Sequence, residues 1–103
     1  MVDKIRIEPK AEKFVIFKME DGSFFLRALN LNYHMDIYHA FARETSRAVE
    51  CFGAKFLVAA DTVTLYGLSA SWGHMPEHWK SEAIALFTEA YPEKQIVERW
   101  DAI

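Results

Sequence analysis

The residues with the most chemical potential lie in "NYHMDIY", positions 32–38. His34 stands where an apolar run, Phe24-Phe25-Leu26, gives way to a segment of helical period. The first backbone N–H groups of a helix have no intrahelical partner, and the helix dipole is positive there. That end suits an anion. The same field disfavours imidazolium, so a histidine there is expected to stay neutral and available as base or nucleophile. The spacing from His34 to Ile37 and Phe41 fits a second reading equally, a hydrogen-bonded histidine at the rim of the core. Spacing alone leaves both open.

A second segment, "YGLSASWG" (66–73), sets Ser69 and Ser71 among small residues between Gly67 and Gly73. Such a loop lets backbone amides approach an anion closely, although glycines and serines between a strand and a helix are often only a connection. Lys13 and Lys55 open two predicted strands and are solvated charge unless the fold carries them to His34. Tyr33 and Trp72 are aromatics that could contact a substrate or join the core. His74 and His78 are four apart, as zinc ligands on a helix can be. Pro76 separates them and no third ligand suggests itself, so neither a metal nor a cofactor is expected. Cys51 has no CxxC partner and is not expected to be a nucleophile.

The elements that must position these residues follow from periodicity. "KIRIE" alternates as a half-exposed edge strand ending at Pro9, and "KFVIFKM" (13–19) is apolar on both faces, as a central strand covered twice would be. Asp21-Gly22 is a hairpin signal that returns the chain as "SFFLRAL". A helix is predicted over Tyr33–Glu50, with Asn32 as N-cap and a stripe of Ile37, Phe41, Thr45 and Ala48. "AKFLVAA" (54–60) and "TVTLYGL" (62–68) are strands, with Cys51 where helix meets strand. Pro76 suits the first turn of a second helix buried through Trp79, Ala83, Leu86, Phe87 and Ala90; Pro92 stops it, and "QIVERW" (95–100) is a last strand. The expected fold is a single α/β (α+β) domain, a mixed sheet of about six strands with one helix packed on each face.

Bulk properties narrow the function classes. At 103 residues and 51% hydrophobic, one core is feasible without metal or disulfide. A net charge of −3 argues against nucleic acid or acidic lipid as the main partner. No apolar run approaches a membrane span. The charged N-terminus does not read as a signal peptide, and a lone cysteine fits a reducing, cytoplasmic compartment.

Taken together, "YHMDIY" (33–38) and "LYGLSASWG" (65–73), with "KFVIF" and "AYPEKQIVERW" in the same order, resemble the phosphohistidine phosphatase (Janus/Ocnus) family. The resemblance runs from about Lys13 to Trp100. It implies a mixed sheet with a helix on each side, and a metal-independent hydrolase acting on a phosphohistidine-containing protein. His34 would be the catalytic base or nucleophile and Lys13 a phosphate-binding lysine. The amides of His34 and Met35, with those of Ser69 and Ser71, would cradle the phosphoryl oxygens. Where the family has a glycine run and an arginine, "CFGAKF" keeps only Gly53 and has Lys55, a point charge without a bidentate fork. His74 and His78 are both out of register with a family histidine. A phosphate-binding module without turnover and a histidine phosphocarrier are the alternatives.

Overall fold

The alternation in "KFVIFKM" is realised as the central strand of the sheet. Phe14 and Ile16 point to one side and Val15 and Phe17 to the other, and all four are buried. Around it a computed structural model, describing residues 2–102, places β1 (Ile5–Ile7), β2 (Lys13–Met19), β3 (Phe24–Ala28), α1 (His34–Glu44), β4 (Ala48–Val58), β5 (Thr62–Tyr66), α2 (Glu77–Ala90) and β6 (Gln95–Arg99). The six strands form one mixed sheet in the order β1-β3-β2-β4-β5-β6. The four inner strands are antiparallel neighbours, and β1 and β6 join the edges in parallel. This is a single α+β domain.

Each helix covers one face. Trp79, Ala83, Leu86 and Phe87 of α2 pack on Phe14, Ile16, Leu26, Phe56, Val63 and Leu65. Ile37 and Phe41 of α1 pack on Val15, Phe17 and Met19 from the other side, with the Phe17 and Phe41 rings stacked at 4.1 Å. Among the described residues no helix is long and apolar enough to cross a membrane.

Four expected boundaries are corrected. Helix α1 stops at Glu44, not Glu50, and β4 begins at Ala48, not Ala54. Thr45, Ser46 and Val49 are weak helix formers, and the Thr45 hydroxyl accepts a bond from the Arg47 amide at 3.2 Å, turning the chain out of the helix. From there Ala48 to Lys55 pair along β2, a ladder that a longer helix would forfeit. Cys51 therefore lies within β4, opposite Phe17. The N-cap of α1 is Tyr33 rather than Asn32, and Pro76 is the N-cap of α2 rather than a residue of its first turn.

One polar contact in the core has no counterpart in the periodic pattern. Arg27 of β3 is fully buried and grips Glu44 at the end of α1 with both Nε and Nη2, at 3.0 and 3.1 Å. Its Nη1 donates to the Leu26 carbonyl at 2.9 Å, and its guanidinium lies 4.8 Å from the centre of the Phe41 ring. The pair ties the far end of α1 to β3. Hydrogen bonding from Arg27 holds the Glu44 carboxyl below its ordinary value, against the opposing effect of desolvation.

Candidate active site

The head of α1 reaches across the sheet because β4 carries no side chain where the two meet. A Cβ at Gly53 would stand 2.5 Å from His34 Cδ2 and 2.9 Å from the Phe14 carbonyl oxygen. With that space open, the His34 ring lies against β4 and is 7% exposed. Its Nε2 is 2.8 Å from the Ala54 carbonyl oxygen. A carbonyl only accepts, so Nε2 carries the proton and donates, and in the neutral ring Nδ1 keeps its lone pair. Desolvation lowers the His34 pKa below its ordinary 6.5; repulsion from Lys13 and Lys55 acts in the same direction and the Ala54 bond opposes them. The ring thus favours its neutral form, with the proton on Nε2. Trp72 stands edge-on to it, with ring centres 6.3 Å apart.

The end of α1 beside this ring is open. Among the described residues no side chain caps it. The amides of Asp36 and Ile37 both close on the Tyr33 carbonyl, at 3.0 and 3.4 Å. Those of His34 and Met35, ahead of them, have no acceptor within the helix.

The register of the sheet then sets out a row of side chains. Lys13 of β2 lies directly opposite Lys55 of β4, Lys55 opposite Tyr66 of β5, and Tyr66 beside Arg99 of β6. Like charges directly opposite on neighbouring strands repel and destabilise a sheet. Among the described residues no carboxylate lies within ion-pair distance of either lysine. Both lysines border one cavity of about 470 Å³, together with Tyr33, His34, Ser69 and Ser71. Of the residues singled out in the sequence, Met35, Trp72, His78 and Cys51 do not line it.

The serine loop is internally bonded. Ser69 is buried, its carbonyl accepts from the Gly73 amide at 2.7 Å, and its Oγ accepts from the Ser71 amide at 3.1 Å. The Ser71 amide, expected in the cradle, is thus already engaged. Gly67 and Gly73 have φ of +75° and +74°, the left-handed conformation that bends the loop toward the lysines.

His74, considered in the sequence only as a metal ligand and as a family histidine out of register, also lines the cavity, and three lining residues were not anticipated: Trp100, Asp101 and Ala102. The last three follow β6, and the Ala102 carbonyl comes within 3.6 Å of where a Gly67 Cβ would be. Gly53 was noted only as the remnant of a glycine run; a lone glycine within an apolar strand is the signal for a close approach. Cys51 is half-buried, and desolvation, then Glu50, pushes its thiol up to about 11, so it stays protonated. Among the described residues no three His, Cys, Asp or Glu side chains converge as metal ligands.

Compared with known protein families the chain matches none, and no curated protein is significantly similar to it.

Proposed function

We propose that the protein is a phosphohistidine (phosphoramidate) phosphatase acting on a protein substrate in the cytoplasm, with His34 as the reacting imidazole. The observation that carries this function is the cross-strand pair Lys13–Lys55, which has no carboxylate partner among the described residues and opens on the same cavity as His34. Two ammonium groups and the free amide of His34 make a site for a phosphoryl dianion. The resemblance of "YHMDIY" and "LYGLSASWG" to the phosphohistidine phosphatase family points the same way.

Phosphoryl transfer requires in-line placement and charge stabilisation more than covalent machinery. The lysines and that amide supply the charge, and the bond from Nε2 to Ala54 fixes the ring so that Nδ1 carries the reactive lone pair. That lone pair takes a proton from the attacking water or bonds to phosphorus itself. A phosphorus–nitrogen bond is labile once its nitrogen is protonated, so these groups suffice without a metal. Positioned proton transfer contributes roughly 10²–10⁴-fold.

The test is release of inorganic phosphate from a phosphohistidine peptide with EDTA present, comparing wild type with His34→Ala. Turnover that persists in EDTA and falls roughly 10²–10⁴-fold in the variant is expected. Absence of wild-type turnover with phosphate still binding would leave a phosphate-binding module. A long-lived acid-labile phosphoenzyme would make the protein a phosphocarrier.

A further inference from the structure

We infer that Asp101 selects substrates whose phosphoryl group is attached to a cationic nitrogen, and so separates phosphoramidates from phosphate esters. This specificity rests on the phosphoryl-binding role proposed above. The cavity is not uniformly basic. Lys13 and Lys55 occupy two central columns of the sheet, while Asp101 lines the cavity from the turn after β6, two residues beyond Arg99. The cavity they share, about 470 Å³, has room for a phosphoryl group at the lysines and its leaving group toward Asp101. Among the described residues Asp101 has no basic side chain within ion-pair distance, so its carboxylate is exposed and uncompensated. Arg99 borders a neighbouring groove and does not line this cavity.

A carboxylate on the wall of a phosphate site repels a plain dianion. It is favourable only to a ligand that carries positive charge beside its phosphoryl group. A phosphoramidate in its reactive form is such a ligand, a dianionic phosphoryl group on a protonated nitrogen. The step balances with that proton in place. The new bond to phosphorus comes from water, whose proton passes to His34 Nδ1, or from Nδ1 directly, after which water displaces the phosphoryl group from Nδ1 and leaves its proton on the ring. The phosphorus–nitrogen bond breaks with its electron pair going to nitrogen, and the amine or imidazole leaves neutral. An ester oxygen bears no such charge and gains nothing from Asp101.

The test compares two non-hydrolysable probes of the same size, aminomethylphosphonate, which is zwitterionic, and ethylphosphonate, which is not. Their affinities are measured by NMR titration on wild type, Asp101→Asn and Asp101→Glu. Wild type should prefer the zwitterion by about fivefold, as one exposed charge pair provides. The preference should vanish in Asp101→Asn and return in Asp101→Glu. Asp101 is exposed, so neither variant threatens the fold. Equal preference in wild type and Asp101→Asn overturns the inference, as does failure of both probes to bind. Because the probes do not react, a wild type that discriminates between them yet releases no phosphate from the peptide would sink the phosphatase and leave the selectivity intact. In turnover, Asp101→Asn should lower kcat/KM for a phosphohistidine peptide and raise it for p-nitrophenyl phosphate; a fall of both by one factor also overturns it.

Discussion

Replacing Gly53 by alanine adds one methyl group where β4 meets the head of α1, and its effect can be worked out from two distances. The new Cβ would lie 2.9 Å from the Phe14 carbonyl oxygen, which belongs to the central strand and has little freedom to move. It would also lie 2.5 Å from His34 Cδ2, whereas carbon atoms in ordinary contact stand about 3.5–4.0 Å apart. The imidazole is the part that yields, and it must retreat by about 1 Å. A displacement of that size at a reacting group costs on the order of 10²-fold in rate. It also stretches the 2.8 Å bond to Ala54 that sets the tautomer. Overpacking adds about 1–3 kcal/mol of destabilisation. The assays are kcat/KM for phosphate release from a phosphohistidine peptide, nitrogen chemical shifts of the His34 ring, and urea unfolding. A folded Gly53→Ala protein with wild-type turnover and Nε2 still protonated would refute the claim that His34 is positioned by its contact with β4.

Three further outcomes are expected. Lys55→Met should weaken phosphate binding yet stabilise the phosphate-free protein by about 0.2–1 kcal/mol, since it removes the repulsion across β2 and β4; equilibrium unfolding with and without phosphate reads both signs. The NMR titration midpoint of His34 should lie below 6.5 and rise when phosphate binds, because desolvation and the two lysines hold the ring neutral. The unfolded chain takes up this proton near pH 6.5 and the folded chain resists it, so stability falls as pH drops from 6.5 toward the folded pKa. Glu44→Ala should cost about 3–5 kcal/mol by leaving a buried guanidinium unpaired, measured by urea unfolding. In the wild type the depressed Glu44 pKa contributes stability above its ordinary 4.5, lost as pH falls through the folded value.

Elements whose periodicity reports burial were legible in the sequence. The two-faced pattern of Phe14-Val15-Ile16-Phe17 announces a central strand and a helix on either side, and both are present. The end of α1 was not legible because Ala48 and Val49 continue the helical stripe as well as they begin a strand; the ladder with β2 decides. His34, Lys13 and Lys55 could be nominated by residue type. That the two lysines face one another depends on strand register, which no local pattern fixes. Asp101 and Trp100 reach the cavity only because β6 joins the sheet edge in parallel beside β5. Gly53 and Arg27 owe their roles to contacts with residues distant in the chain, His34 and Glu44.

Helix α1 is a bar bolted at both ends. His34 fastens its head to β4 through Ala54, and Glu44 fastens its tail to β3 through Arg27. The central strand β2 passes beneath it, between the two anchor strands. Ten residues of helix, about 15 Å, separate the bolts. Loosening the tail lets a rigid rod pivot on β2, and the head then swings across the lysines. A lesion at Arg27, remote from any ligand, would thus reach the chemistry as a misaligned imidazole, lowering turnover while the lysines still hold phosphate.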